Sequence, residues 1–333
     1  MAINTTLEWG KVEFLILVNT LLIALFLVSF FAFPVSAVVG TPNASVITRL
    51  EVGNTFPEIL NITVNDFDAT IDLNANTTTV VSCVARLRDF NGDGDLNVSN
   101  VTFFRTTSGL GDPDDNNNHY TNASCHINTS FVTWQGHSDD QYTALANCTM
   151  NVWYYADPGE WNCTMTVNDS VNFRDTDSDN ITINSLLALF LPDTIDFGVV
   201  NATAVSDENE TNISNAGNVQ VNISLEGYAF NSPVDGAGYA MNCSIENRTI
   251  DIGYEKFNLT ASNTSTLTLS EFEGIYTNLS STATIYNFTL NYRQNDLTND
   301  AVNASYWRIY VPQGAAGNCT GTIVFGATQA NGI

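Results

Sequence analysis

Beyond residue 40 the chain consists of short runs in which apolar and polar residues alternate, and this pattern limits its fold more than any other feature. The runs are rich in Val, Ile, Thr and aromatic residues and are bounded by Asn, Asp, Gly or Pro. They cover 59–66, 78–87, 148–155 and 161–169 in the first half, and 218–227, 282–292, 306–312 and 319–328 in the second. Because such runs are typical of half-buried strands and helical periodicity is almost absent, the sequence predicts an all-β protein with β-sandwich domains.

The N-terminal part of the chain indicates export. An uncharged run of 20 residues, 14–33, is long enough to cross a bilayer as a helix. It is followed by Val35-Ser36-Ala37, which fits the small-residue pattern of a signal-peptidase site. We therefore predict that residues 1–37 are either a signal peptide or an uncleaved membrane anchor. Both alternatives place the rest of the chain outside the cytoplasm.

The length of 333 residues allows two domains after this segment. We predict a first β-sandwich domain over 38–185 and a second over 186–333. The apolar run 184–193 is predicted to be a linker strand between them, and the segment 111–122 to be a polar loop.

The charge balance excludes two classes of partner. The chain has 10 Lys+Arg against 35 Asp+Glu, a net charge of -25. A nucleic-acid-binding protein needs basic side chains to neutralise phosphates, so no nucleic-acid partner is expected. Lysine occurs only at Lys11 and Lys256, which excludes a polybasic membrane-binding patch as well.

Asparagine is frequent and often begins an Asn-x-Ser/Thr sequon. The chain has 42 Asn and 62 Ser plus Thr, which by random placement would give about 8 sequons. It has 24, of which 23 lie beyond residue 40. Thr-rich strands and Asn-rich turns generate some sequons as a by-product, but the excess favours a glycosylated exterior protein. The predicted glycosylation sites are Asn43, Asn61, Asn76, Asn97, Asn100, Asn122, Asn128, Asn162, Asn222, Asn247, Asn258, Asn278, Asn303 and Asn318.

The cysteine pattern agrees with an oxidising exterior. None of the six cysteines forms a CxxC pair, so neither a zinc ribbon nor a thioredoxin-like motif is indicated. A division near residue 190 leaves four cysteines in the first half and two in the second, so that each half can close its own disulfides. We therefore expect a Cys243–Cys319 bridge in the second half. The four cysteines of the first half allow three pairings.

One motif in the first half carries a family resemblance. The sequence Asp157-x-Gly159-x-Trp161-x-Cys163 resembles the Asp-x-Gly-x-Tyr-x-Cys pattern at the E–F corner of immunoglobulin-like domains, with Trp161 in place of the corner tyrosine. The resemblance implies that Cys163 lies on strand F and pairs with Cys83 on strand B. Cys125 and Cys148 would then form the second bridge of this half.

The second half resembles β-sandwich modules of secreted archaeal and bacterial surface proteins. The resemblance lies in TIDFGVV (194–200), NAGNVQVNISLEG (215–227) and YWRIYVPQGAAGNCTGTIVFGATQ (306–329), which match a Phe-Gly strand, an Asn-x-Gly-Asn segment and a closing Trp…Pro…Gly-x-x-x-Gly hairpin. Families of this kind are mostly structural, such as cell-envelope layers, fibres and adhesive stalks. The resemblance therefore implies a second immunoglobulin-like sandwich before it implies a function.

Candidate catalytic groups are sparse. His137-Ser138-Asp139 are neighbours in sequence, and a catalytic triad is assembled by geometry instead. A metal cluster of His119, His126 and His137 near Cys125 is less favoured than a disulfide with exposed histidines. Glu271 and Glu273 would share one face if their segment were a strand, as many solvated pairs do. We therefore predict that the protein is not an enzyme.

One acidic turn, DFNGDGDLNVSN over 89–100, begins like a calcium loop. Asn100 stands where a bidentate acidic residue should close such a loop, and both flanks have the sequence of strands, so this is not an EF-hand. One alternative is a bare turn capped by its own side chains. The other is a structural Ca²⁺, for which the predicted ligands are Asp89, Asn91, Asp93 and Asp95.

These observations predict a secreted, glycosylated cell-surface protein, archaeal in origin, with a structural or adhesive role. Its partners would be other copies of itself, other surface proteins or glycans, and the membrane if residues 1–37 are not cleaved. A filament subunit is the first alternative, either by strand exchange through residues 38–65 or by bundling of an uncleaved helix. A carbohydrate-binding module is the second, with Trp134 and Trp153 as candidate contacts.

Overall fold

The computed structural model of the chain describes residues 17–20, 45–262, 266–294 and 301–330. The described residues from Gly53 onward belong to one compact unit. The predicted export segment, residues 1–37, lies outside the described residues except for 17–20, which are helical. In the described ranges, no helix is both long and apolar enough to span a membrane.

Two sheets and a small hairpin are built from residues 58–183. The strands are β1 (Glu58–Val64), β2 (Thr70–Ile71), β3 (Thr78–Arg88), β4 (Asn97–Arg105), β5 (His119–Asn122), β6 (His126–Asn128), β7 (Thr133–Trp134), β8 (His137–Ser138), β9 (Thr143–Trp153), β10 (Gly159–Asn168) and β11 (Arg174–Ile183). One sheet has the order β1-β3-β9-β6 and the other β2-β11-β10-β4-β5, while β7 and β8 pair with each other. The short β2–β11 pair is parallel, and the other neighbours are antiparallel.

Two further sheets are built from residues 189–329. Their elements are β12 (Leu189–Phe190), β13 (Asn209–Asn215), β14 (Val221–Ala229), β15 (Tyr239–Cys243), β16 (Thr249–Asp251), β17 (Glu255–Asn258), α1 (Leu269–Ile275), β18 (Thr277–Asn278), β19 (Thr284–Leu290), β20 (Val302–Ile309) and β21 (Cys319–Gln329). The sheet orders are β12-β13-β20-β17-β18 and β16-β15-β21-β14-β19. The protein is therefore mostly β, as predicted.

Strand alternation explains the core of the first sandwich. In β9 every second residue from Ala144 to Val152 is buried, and the residues between them lie nearer to solvent. The buried rows of β3 and β10 face the same core, where Trp161 is fully buried and stacks on Phe103 with 4.9 Å between ring centroids. Since the fully buried Cys83 and Cys163 lie on different sheets, their disulfide joins the two layers at the centre of this core.

The second sandwich has a core of the same kind. Val221, Ile223 and Leu225 are the buried row of β14, alternating with half-buried polar residues. Trp307 on β20 is fully buried and lies against Phe257 and Phe325. The opposing sheets thus bury one apolar face each, as two-layer architectures require.

Buried amide side chains join the two sandwiches. Asn218, which is fully buried, donates through Nδ2 to the backbone oxygens of Ala156 and Asn184, both at 3.0 Å, and accepts from Leu186 N. Asn117 donates to the backbone oxygens of Tyr155 and Arg293, also at 3.0 Å each. Each of these buried amides therefore forms a hydrogen bond that crosses from one sandwich to the other.

A tyrosine adds a contact to this junction. Tyr292 donates through its hydroxyl to Asp157 Oδ1 at 2.9 Å, and Arg105 forms an ion pair with the other oxygen of the same carboxylate. Burial nevertheless raises the pKa of Asp157, although the contacts with Tyr292 and Arg105 lower it.

The structure corrects three assignments made from the sequence. TIDFGVV (194–200) is not a strand, because Gly198 adopts a φ of +65° and its N–H donates to Asp196 Oδ1 in a local turn. The polar loop 111–122 contains strand β5, which pairs with β4. Of the predicted linker strand 184–193, only Leu189–Phe190 forms a strand, which pairs with β13.

A fourth correction concerns Glu271 and Glu273, which lie on a helix, α1. Thr268 and Glu271 form a reciprocal capping box at its N-terminus, in which Thr268 N donates to Glu271 Oε2 at 2.8 Å. The hydrogen bonds from Thr268 lower the pKa of Glu271. The capping sequence Thr-x-x-Glu therefore determines the local structure here.

Candidate metal site

The acidic turn that follows β3 lies between two strands, as expected. β3 ends at Arg88 and β4 begins at Asn97, so the helix–loop–helix arrangement is absent from this turn. Gly92 has a φ of +123°, a conformation that favours glycine, and Asp93–Asp95 form a single 3-10 turn.

A third carboxylate, from a distant part of the sequence, joins this turn. Oxygen atoms of Asp89, Asp95 and Asp169 all lie within 4.8 Å of one another. Asp169 directly follows β10, and the last residue of β10, Asn168, pairs with the first residue of β4, Asn97. The end of β10 is thereby placed beside the turn. The three aspartates are named here the Asp89–Asp95–Asp169 cluster.

Asp89 is fully buried and only half of its carboxylate is hydrogen-bonded. Oδ1 accepts from Asn91 N at 2.8 Å and from Thr55 Oγ1 at 3.1 Å. Oδ2 is buried and has no hydrogen-bond partner among the described residues. An unpartnered buried oxygen of this kind is costly and requires an explanation.

Asp169 is 2% exposed, and both of its carboxylate oxygens accept hydrogen bonds. Oδ1 accepts from Val171 N and Phe173 N, at 2.9 and 2.8 Å, and Oδ2 accepts from Asn54 Nδ2 at 2.5 Å. Burial alone would raise the pKa of Asp169, but these hydrogen bonds outweigh burial and lower it. The group is therefore a carboxylate at neutral pH.

The structure brings together only part of the predicted calcium ligand set. Asp95 accepts from Ser170 N at 3.1 Å and belongs to the cluster. Asp93 lies outside it. The amide oxygen of Asn91 accepts from Thr55 N and Thr55 Oγ1, both at 2.7 Å, so its lone pairs are already used. Sequence reasoning missed Asp169, because nothing in the local pattern links it to a turn 74 residues away.

No basic side chain neutralises the cluster in the described part of the chain. The ion pairs there are Arg88–Glu58, Arg105–Asp157, His119–Asp114 and Arg248–Glu246. Three carboxylates in close contact repel one another, and oxygen ligands of this kind are the ones that hard divalent cations prefer.

The disulfides are Cys83–Cys163, Cys125–Cys148 and Cys243–Cys319, the three pairs expected from the sequence. Trp161 occupies the corner position of the immunoglobulin-like motif, and its indole N–H donates to Asp157 O at 2.8 Å. Gly159 in the same corner has a φ of +125°.

The candidate catalytic histidines are dispersed. His119 is buried and hydrogen-bonds Asp114 and the backbone oxygen of Leu110, whereas His126 and His137 are exposed. Within the described ranges, the Asp89–Asp95–Asp169 cluster is the one group of three or more His, Cys, Asp or Glu side chains with metal-binding geometry. That the protein is not an enzyme stays a prediction.

The two tryptophans considered for glycan binding differ in their surroundings. Trp153 packs against the core of the first sandwich and stacks on Tyr155. Trp134 is half-buried on the β7–β8 hairpin and lies 6.4 Å, centroid to centroid, from Phe67, whose side chain is 60% exposed. Trp134 therefore remains a candidate, and Trp153 serves the core.

The predicted glycosylation sites are accessible wherever the structure describes them. Asn43 lies outside the described residues. None of the other thirteen is buried; the exposed ones are Asn76, Asn97, Asn247, Asn278, Asn303 and Asn318. Asn100 is half-buried, and its Oδ1 is enclosed by protein. Asn168 begins a further sequon and is only 9% exposed.

The second sandwich contains a buried carboxyl group beside a cleft of about 430 Å³. Glu255 on β17 is 2% exposed and lines this cleft together with Leu191, Met241 and Phe325. Removal from water disfavours the ionised form, and burial raises the pKa of Glu255 to about 8.

No protein-family model and no curated protein matches this chain. Among solved structures, it is similar to the dimeric latent PorU of Porphyromonas gingivalis, with 11% identity and a TM-score of 0.25 over 86% of this chain and 21% of that one. The chain thus spans about a fifth of PorU.

Two shorter structures are covered almost completely. The C-terminal domain of the Streptococcus agalactiae AgI/II polypeptide BspA matches with 8% identity and a TM-score of 0.21, over 82% of this chain and 96% of that one. A carbohydrate-binding module of the β-sandwich superfamily matches with 10% identity and a TM-score of 0.22, over 82% and 97%.

Proposed function

We propose that this is a glycosylated extracellular protein of an archaeal or bacterial cell surface, with a structural or adhesive role. The observation that carries the proposal is that every predicted glycosylation site in the described residues is solvent-accessible, on both sandwiches. Three disulfides add support, because such bonds persist in oxidising compartments.

We further propose that the first sandwich is immunoglobulin-like. Its strand orders place β3 and β10 in opposite sheets, and a central disulfide joins them. The corner residue Trp161 bonds back to Asp157 O, four residues upstream, in the manner of a corner tyrosine. A domain of this kind is a scaffold whose binding surface depends on loops and strand edges.

Glycan occupancy should follow exposure. We expect glycans at exposed sequons such as Asn76 and Asn318 in protein purified from its native host, and none at Asn168, because an oligosaccharide cannot be attached to a side chain in the core. Peptide mass spectrometry before and after glycan removal measures this occupancy. An unmodified chain from the native host would overturn the proposal of a glycoprotein.

A filament subunit is the second candidate, and one observation favours it. In an extended segment, Val46, Thr48, Leu50 and Val52 would share one side and Ile47, Arg49 and Glu51 the other, and none of them has a strand partner among the described residues. Val46 and Leu50 are 85% and 88% exposed. This period of two residues is what a donor strand needs when it adds to a sheet edge of another subunit.

If residues 45–52 donate a strand, charges on the apolar side should abolish assembly. We expect Val46→Asp/Leu50→Asp to prevent multimers of the full-length protein, since a buried interface would then contain two unpaired carboxylates. Arg49→Ser changes the opposite side of the segment and is the matched control. Size-exclusion chromatography and negative-stain microscopy measure the outcome, and unaltered assembly of the double variant would eliminate strand donation.

A further inference from the structure

We propose that Asp89, Asp95 and Asp169 bind a calcium ion that ties the turn after β3 to the turn after β10. The ligands come from two turns that are adjacent in space, with oxygen atoms within 4.8 Å of one another. The proposal does not depend on the function proposed above.

The buried oxygen of Asp89 is the observation that points to a ligand. Asp89 is fully buried, and its Oδ2 has no hydrogen-bond partner among the described residues, while its Oδ1 is fixed by Asn91 N and Thr55 Oγ1. Leaving such an oxygen without a partner is unfavourable. A cation provides the missing partner and at the same time relieves the repulsion between the three carboxylates.

Hydrogen bonds from the backbone prepare the other two ligands. Asp95 Oδ1 accepts from Ser170 N, and Asp169 Oδ1 accepts from Val171 N and Phe173 N. These contacts orient each carboxylate before an ion arrives, which lowers the cost of binding.

The chemistry of the cluster favours calcium over other metals. All three ligands are carboxylates, and neither histidine nor cysteine contributes, so zinc and copper are disfavoured. Asp95 is partly exposed, which leaves room for the waters that complete a coordination number of 6–8 for Ca²⁺. Mg²⁺ requires near-ideal octahedral geometry and loses its own water reluctantly.

The ion would also order residues 53–57, which precede β1 and contact the two turns that hold the cluster. Asn54 Nδ2 donates to Asp169, Thr55 binds both Asp89 and Asn91, and Phe56 stacks on Phe173 with 4.2 Å between centroids. Every one of these contacts is made to one of the two turns. Calcium that holds the turns together should therefore order this segment.

The test uses the full-length protein in detergent, stripped of divalent ions with EGTA. Calorimetric titration with CaCl₂ should give one site with a Kd of roughly 0.1–1 mM, the range of extracellular calcium modules. At ten times Kd the melting temperature should rise by about 2–4 °C. If neither response is seen at calcium concentrations up to roughly ten times the weakest expected Kd, about 10 mM, the proposal is overturned.

Three single variants identify the ligands. Asp95→Asn and Asp169→Asn should each weaken calcium binding by about tenfold or more. Asp93→Asn is the matched control: it removes a carboxylate of the same turn that lies outside the cluster, and calcium binding should be unchanged. Parental melting temperatures in EGTA establish that the variants fold. Loss of binding in Asp93→Asn with retention in Asp169→Asn would assign the ion to the local sequence motif and refute this site.

Hydrogen exchange tests the coupling to Gly53–Pro57. Thr55 N–H donates to Asn91 Oδ1, so its exchange should slow when calcium is added to the parent protein and stay unchanged in Asp169→Asn. Faster or unaltered exchange of Thr55 N–H in the parent at saturating calcium would show that calcium does not order residues 53–57.

Discussion

Glu255→Gln should make the protein more stable at pH 8 and leave its stability nearly unchanged at pH 4.5. Burial raises the pKa of Glu255 to about 8, above the usual 4.5. Below pH 4.5 the Glu255 carboxyl group is protonated in both the folded and the unfolded state, so its ionisation does not lower the free energy of unfolding. As the pH rises towards 8, the unfolded state loses this proton first. The free energy of unfolding of the parent protein therefore falls by about 4–5 kcal/mol over this range. Glutamine carries no charge and avoids the loss.

The difference between parent and variant isolates this group from the other carboxylates. Urea denaturation at several pH values gives the free energy of unfolding of both proteins. Glu210→Gln, an exposed glutamate of the same sandwich, is the control and should follow the parent at every pH. Parallel curves for the parent and Glu255→Gln would show that Glu255 does not remain protonated in the folded protein.

Replacing Cys83 and Cys163 together with alanine should lower the free energy of unfolding by about 4–5 kcal/mol. The bond closes a loop with a sequence separation of 80 residues, and the entropy that it removes from the unfolded chain grows with loop length. Both cysteines are fully buried, so the variant also loses sulfur contacts within the core. The effect is a large share of the stability of an ordinary domain.

The companion variant Cys125→Ala/Cys148→Ala provides the comparison. That bond spans only 23 residues and involves the half-buried Cys125, so its removal should cost about 3 kcal/mol. Neither double variant leaves a free thiol. Chemical denaturation of all three proteins decides the order, and an equal or larger loss for the shorter loop would contradict the loop-length argument.

The strands could be located from the sequence because most of them have one buried face. β3, β9, β10, β14 and β21 overlap the runs found by alternation, since one apolar side chain in two is enough to specify a half-buried strand. The corner motif implied Cys83–Cys163, the pair that the structure contains. The short corner motif was sufficient to predict this pairing because Trp161 and Cys163 face the same core.

Other elements depend on contacts that no local pattern contains. β11 includes Asp175, Asp177 and Asp179, and its polarity conceals a strand that pairs along its whole length with β10. Asp179 also accepts a hydrogen bond from Val64 N of β1, which belongs to the opposite sheet. Likewise, Asp169 joins Asp89 and Asp95 only because β10 lies beside β4. Proximity of this kind is produced by sheet topology and is not visible in sequence spacing.

The buried amides between the sandwiches have a mechanical consequence. A hinge between domains requires a connection that rotates without breaking buried contacts. Here rotation would break the hydrogen bonds from Asn117 Nδ2 to Arg293 O and from Asn218 Nδ2 to Ala156 O, which link the two sandwiches. A Cβ at Gly217 would lie 2.1 Å from Leu186 O, so the two backbones are also in close contact. Under lateral load the two sandwiches should therefore turn against each other only after these buried hydrogen bonds have broken.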